Sequence, residues 1–222
     1  MHVFRALYEA AVEALFPISE AERSVRALSP EAAASVLPPA PPYDGSVAAL
    51  PHGSRSLLAY KDPRASRLIW SIKYKKDLHS VAIGGYLLRQ ALGAAPAGTI
   101  LVSIPVSSRR RRERGYNQCE LLLDEVARLD AMRGFVIEKG LLIRSQHRAR
   151  QTLKGRADRL ESAAGIFAVD PIAAERLARE RVPDAPIIIV DDVITTGSTM
   201  KAAVDALVAA GFTNVRALSL AH

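Results

Sequence analysis

PIIIVDDVITTGSTM, residues 186–200, joins a short apolar run to two adjacent aspartates, two further apolar residues and a Thr-Thr-Gly-Ser-Thr sequence. Ile187 to Val190 is too short and too apolar for an amphipathic helix and predicts a buried strand. Beyond the loop, Met200, Ala203, Val204, Leu207 and Val208 recur at helical spacing, so residues 200–210 predict a helix, with Gly211 as its stop signal. The segment is therefore a strand, a polar turn and a helix.

That order has a chemical use. A helix amino terminus exposes unpaired backbone amides and the positive end of its dipole, and a loop of Gly, Ser and Thr there wraps a phosphate dianion. Gly197 allows close backbone approach. Asp191 and Asp192 leave the strand just before the loop, where carboxylates accept hydrogen bonds from the vicinal hydroxyls of a ribose. The order of groups fits a ribose 5-phosphate. It does not fit the lysine-bearing phosphate loop of nucleoside triphosphatases or the G-x-G-x-x-G dinucleotide fingerprint. A plainer reading, in which Asp-Asp ends a strand and the hydroxyl run caps a helix, explains each residue separately but not the set together.

Outward from this segment the pattern repeats. Residues 215–220 predict the next strand. Residues 99–106 (TILVSIPV) predict a buried strand, and a helix begins at Asn117, with Glu120 at capping-box spacing and Cys119, Leu122, Leu123, Val126 and Ala127 as its buried stripe. Pro63 opens a helix to about Lys75, and a second covers roughly residues 80–92. Residues 46–50 and 55–60 predict two strands of a hairpin joined by His52-Gly53-Ser54. The alternation of strands and helices implies an α/β fold, a parallel sheet with helices on both faces and ligands at the carboxyl ends of its strands. At the amino end, Phe4, Leu7, Tyr8, Ala11 and Leu15 predict an amphipathic helix ending at Pro17. The four prolines of residues 37–43 predict an extended linker. The expected division is a helical extension and linker over 1–43 and a main domain over 44–222.

Composition narrows the class. The 222 residues, 49% hydrophobic and 24% charged, are those of an ordinary folded protein. No apolar run reaches the roughly 18 to 20 residues of a membrane span. Glu9 and Glu13 interrupt the amino terminus where a signal peptide would be apolar, so a cytoplasmic location is expected. One cysteine, Cys119, excludes an internal disulfide and a thiolate zinc site, and five scattered histidines offer no helical metal pair; no structural metal is expected.

The net charge of +7 is concentrated. Residues 109–114 hold five arginines around Glu113, and residues 144–159 hold six basic residues against Asp158. An anionic ligand is implied, either a phosphorylated small molecule or a nucleic acid. Arginine forks bind pyrophosphate oxygens in bidentate fashion. Taken alone, the arginine turn equally suits nonspecific nucleic-acid contact; its place after the strand ending at Pro105 favours pyrophosphate. The 144–159 stretch reads either as a lid over the ligand or as an exposed helix. Lys73 reads as a ligand contact or a solubilising lysine. Cys119, on the apolar face of its helix, reads as core.

Residues 186–200 resemble the 5-phosphoribosyl-1-pyrophosphate (PRPP) motif of type I phosphoribosyltransferases. Pro105, Arg109 to Arg112 and Arg114-Gly115-Tyr116-Asn117-Gln118 resemble the proline-ended strand, arginine-rich turn and R-G-F-N-Q of the ComF family. Tyr60, Lys73-Tyr74 and, in the stretch resembling that family's hood, Gln151, Arg156, Arg159 and Phe167 extend the similarity over residues 45–222. The resemblance implies the type I phosphoribosyltransferase fold, with a small β-hairpin or hood and an amino-terminal extension. It also implies transfer of a phosphoribosyl group from PRPP, with magnesium and release of pyrophosphate, to an unidentified acceptor such as a nucleobase. Asp191 and Asp192 would be the catalytic, ribose-holding acids. Val193, Thr195, Thr196, Gly197, Ser198 and Thr199 would hold the phosphate end of PRPP, and Arg109, Arg112, Arg114 and Lys73 would complete its site. Two other roles stay open: a noncatalytic PRPP or nucleotide sensor, since a binding loop can be intact while the acceptor pocket is lost, and, implied by the ComF resemblance, a competence factor that meets single-stranded DNA or other competence proteins. The family's four-cysteine zinc module follows a Phe-Pro pair; here Phe16-Pro17 is followed by Ile18, Ser19 and Glu20, so no zinc is expected. Ser107 and Ser108 stand where the family has histidine and proline, and Ser162 where it often has asparagine.

Overall fold

The computed structural model describes residues 19–43, 47–130, 134–145, 165–180 and 185–222. The expected helix at residues 4–15 and most of the lid stretch lie outside them. Strands β1 (Arg55–Leu58), β2 (Ile100–Ser103), β3 (Val136–Glu138), β6 (Ile187–Val193) and β7 (Val215–Ala221) form one sheet in the order β1-β7-β6-β2-β3. Every neighbouring pair in it is parallel. Strands β4 (Leu142–Arg144) and β5 (Phe167–Val169) form a separate antiparallel pair.

The central strands are mainly apolar because both faces of the sheet are covered. Leu101, Val190, Leu218 and Leu220 pack into one core with the helices α3 (Pro63–Lys75), α4 (Leu78–Ala91) and α6 (Gln118–Leu129). Their sequence neighbours Ile100, Val102, Ile189 and Ala217 pack into the opposite core with α7 (Pro171–Glu180) and α8 (Ser198–Ala209). This period-two division is the alternation of a strand between two hydrophobic layers. The result is the α/β architecture, a parallel sheet with helices on both faces, that the sequence implies.

Three local expectations are corrected. The hairpin over residues 46–60 does not form. Its turn exists, with Ser54 N donating to Pro51 O at 3.0 Å and Gly53 at φ 82°, but residues 47–50 are not a strand. Instead Ala48 N donates to Thr196 O at 2.8 Å, Val47 is buried in the α8 core, and β1 pairs in parallel with β7 at the sheet edge. The arginine turn is a helix, α5 (Ser108–Arg114), because the Ser107 hydroxyl caps it by accepting from Arg110 N and Gly115 ends it at φ 78°. Finally, β6 continues through Asp191 and Asp192 to Val193, so the acids lie within the strand.

Residues 19–36, ahead of the proline-rich stretch, hold two helices. Helices α1 (Glu20–Ala27) and α2 (Pro30–Val36) are capped by Ser19 and Ser29, and Val25, Ala33 and Leu37 join the α3–α4–α6 core.

Candidate functional site

The chain leaves β2 toward β3 and leaves β6 toward β7, in opposite directions along the sheet, so a crevice opens between the carboxyl ends of β2 and β6. A cavity of about 330 Å³ lies there, lined by Ile104 to Val106 after β2 and by Asp191 to Met200 after β6.

Its floor is the loop into α8. Gly197 has φ 73°, and a Cβ there would lie 2.9 Å from Val47 Cγ1 and 3.2 Å from Ala48 N, so only glycine fits. No side chain caps α8. The first amides of this helix are thus left to a ligand, the arrangement that binds phosphate. Thr196 Oγ1 and Ser198 Oγ stand 3.1 Å apart, adding hydroxyls to the cradle.

The two acids differ in environment. Asp192, 3% exposed, pairs with Lys73 Nζ through Oδ1 at 3.0 Å, while its Oδ2 is buried without a hydrogen-bond partner. Asp191 Oδ1 accepts from Asp192 N at 2.8 Å and from the Cys119 thiol at 3.5 Å. Burial, followed by the charge of Asp192, raises the Asp191 pKa to about 7. Burial and the two neighbouring aspartates push the Cys119 thiol well above its usual range, so Cys119 is a packing residue and not a nucleophile.

The cationic wall is built by α5, α3 and β4. Arg110 and Arg114, four residues apart and so on one helix face, line the cavity together with Lys73 and Arg144. Arg109 and Arg112 do not line it. Arg109 is 77% exposed and paired with Glu113 at 3.6 Å, and Arg112 is exposed. An irregular turn would leave the choice of arginine open, but a helix fixes it by phase. Arg144 donates from Nε to Pro105 O at 3.2 Å and lies 5.3 Å from the Phe167 ring, which ties the β4–β5 pair to the cavity.

The residues after α5 position this wall. Gln118 Oε1 accepts from Arg114 Nη1 at 3.0 Å, and the Arg114 guanidinium sits 4.7 Å from the centre of the Tyr74 ring. Tyr116 donates its hydroxyl to Ile72 O at 2.8 Å and accepts from Lys76 N at 3.0 Å, fixing the end of α3 that carries Lys73 and Tyr74. Asn117 caps α6 and donates to Ile104 O at 3.0 Å, fastening that helix to the end of β2. Thus Gly115 to Gln118 are braces between α5, α3 and β2. Of the ligand contacts expected from sequence, Lys73, Arg114, Asp191, Asp192, Val193, Thr195, Thr196, Gly197, Ser198 and Thr199 come together at one cavity. Arg110 was not singled out, and helical phase over residues 108–114 was the signal that could have found it.

Residues 150–222 match the family model of the phosphoribosyl transferase domain. The match takes in β6, the phosphate-type loop, α8 and β7, whereas Lys73 and the α5 arginines lie outside it. No curated protein matches the chain. The matched phosphoribosyl transferase segment and the five-stranded parallel sheet flanked by helices agree with the fold of type I phosphoribosyltransferases. A phosphoribosyl-type substrate follows from that domain.

Proposed function

We propose that the cavity binds PRPP and that the protein transfers its phosphoribosyl group to an acceptor, releasing pyrophosphate. The observation that carries this reading is the meeting of an uncapped helix start, two buried aspartates and a wall of three arginines and a lysine around one cavity. A sugar 5-phosphate suits the loop, the ribose hydroxyls suit Asp191 and Asp192, and pyrophosphate suits Arg110, Arg114 and Arg144. The bond from C1 to the pyrophosphate oxygen breaks, a nucleophilic atom of the acceptor bonds to C1, and the acceptor proton passes to an ionised Asp191 carboxylate. Lys73 holds Asp192 in place through their ion pair at 3.0 Å. The protein's contribution is positioning and charge.

Magnesium fits as a passenger of pyrophosphate: among the described residues no group of three or more His, Cys, Asp or Glu could hold a metal, and Asp191 and Asp192 are the carboxylates at the cavity. When bound it supplies charge to the leaving group. We place the protein in the ComF family, without zinc, as a cytoplasmic protein; among the described residues no helix is long and apolar enough to cross a membrane.

A second reading has its own support. Trp70 and Tyr74 form an exposed pair 5.7 Å apart, with Arg67 4.2 Å from Trp70 and Arg114 4.7 Å from Tyr74. Interleaved aromatics and cations suit single-stranded DNA, as in a competence factor.

Calorimetric titration with PRPP, ribose 5-phosphate and pyrophosphate separates the subsites. PRPP is expected to bind more tightly than either fragment, and Arg114→Ala should weaken pyrophosphate binding about tenfold while leaving ribose 5-phosphate nearly unchanged. Equal loss for both fragments would contradict the assignment. DNA binding that falls steeply with salt and is indifferent to Asp191→Asn would favour the second reading.

A further inference from the structure

A second cavity, of about 240 Å³, lies between α1, α3 and the start of α4, lined by Glu22, Val25, Arg26, Ser71, Lys75, Asp77 and Ser80. Among the described residues it shares no lining residue with the first.

Its donors outnumber its acceptors. Glu22, 5% exposed, is shared by three cations: Oε1 accepts from Arg26 Nη2 and Lys75 Nζ, each at 3.0 Å, and Oε2 from Arg67. Both of its oxygens are therefore engaged, while Arg26 and Lys75 keep further N–H groups. Asp77 caps α4, and its Oδ2 takes the amide and the hydroxyl of Ser80 at 2.9 and 2.6 Å. The lining cations Arg26 and Lys75 match the lining carboxylates Glu22 and Asp77, Arg67 on the far oxygen of Glu22 adds a third positive charge, and the start of a 14-residue helix adds the favourable end of its dipole. Burial, followed by the charges of Arg67 and Arg26, lowers the Lys75 pKa.

Ser71 points to a ligand. It is 5% exposed and lines the cavity, yet among the described residues its hydroxyl makes no hydrogen bond. A hydroxyl that opens onto the cavity without a protein partner can donate to an acceptor on a ligand.

We propose that this cavity is a separate site for a phosphate-type oxyanion, held by Arg26, Lys75 and the Ser71 hydroxyl. The same chemistry is offered by free phosphate and by the phosphate of a nucleotide. Ser71 and Lys75 sit one helical turn apart on α3, whose Lys73 and Tyr74 line the first cavity, so one stretch of helix walls both.

Trp70 is the single tryptophan of the chain and lies 4.2 Å from Arg67 and 5.2 Å from Lys75, so its fluorescence reports on the cavity. The full chain is titrated with inorganic phosphate and, separately, with a nucleoside monophosphate, against chloride at matched ionic strength. The expected result is a saturable change with phosphate that chloride does not reproduce; the tighter of the two phosphates identifies the source. Ser71→Leu, which fills the cavity, should abolish the response, and Arg26→Ala, at a half-exposed position that tolerates truncation, should weaken it about tenfold. Gly197→Val, which blocks the loop of the first cavity, should leave it intact. No saturable response, an equal response to chloride, or a response lost in Gly197→Val but retained in Arg26→Ala would overturn the proposal. None of these outcomes depends on whether the first cavity binds PRPP.

Discussion

At Gly197 conformation and space act together. Because φ is 73° and a Cβ would meet Val47 and the Ala48 amide, Gly197→Ala should cost about 1 to 3 kcal/mol of stability and displace the loop. Chemical denaturation and PRPP titration check this; unchanged binding would contradict the role given to the loop. Lys73→Ala leaves Asp192 buried and unpaired. With Lys73 20% and Asp192 5% exposed, the loss should be about 2 kcal/mol, below that of a fully buried pair. Asp191 gives a pH signature of definite sign. Its folded pKa of about 7 lies above the 3.8 of an unperturbed aspartate, so the native state holds this proton more tightly than the unfolded chain. Its contribution to stability therefore falls as pH rises from about 4 to about 7. Asp191→Asn should flatten that slope in melts between pH 4.5 and 8, and an unaltered slope would contradict it. The acids and the loop were legible in the sequence because they are contiguous and their chemistry is local. The choice among arginines was not, since it depends on the phase of a helix that an all-basic segment without an apolar stripe does not announce.

Among the elements, the contact between α4 and α6 carries the site, because α6 brings Cys119 to Asp191 and Gln118 to Arg114. Gly84 and Gly85 permit it. A Cβ at Gly85 would lie 2.3 Å from Glu125 Cγ and 2.6 Å from its Cβ, and one at Gly84 would lie 2.7 Å from Leu122 Cδ2. Replacing a mid-helix glycine by alanine ordinarily stabilises by about 0.5 to 1 kcal/mol. Here overpacking prevails, and Gly85→Ala should lower stability by about 1 to 3 kcal/mol, as denaturant midpoints would show. The sequence does not announce this role of the glycines, because close approach of two helices is a property of the pair. The hairpin over residues 46–60 failed for a similar reason. Its turn was read correctly, but its first arm is held by Thr196, a partner far along the chain. Strong local signals did locate the elements: Pro63–Lys75 runs as read, and the helix after Asn117 begins at Gln118 with Asn117 as its cap.

Across the whole molecule, the alternation of strands and helices was enough to anticipate a parallel sheet and a ligand at its carboxyl edge. It could not anticipate α1 and α2, two short helices whose serine caps lie in a stretch dominated by proline nearby. Glu22 fastens α1 to α3, so Glu22→Ala should strand three cations and cost about 2 kcal/mol, with one cooperative transition retained because Val25, Ala33 and Leu37 belong to the central core. Calorimetry showing α1 and α2 melting separately would contradict that integration. The most direct test of the central claim is calorimetric titration with PRPP and magnesium of the wild-type protein and of the Asp191→Asn, Asp192→Asn double variant. The account predicts saturable micromolar binding in the first and its loss in a folded double variant; no binding by the wild-type protein, or equal binding by both, would contradict it.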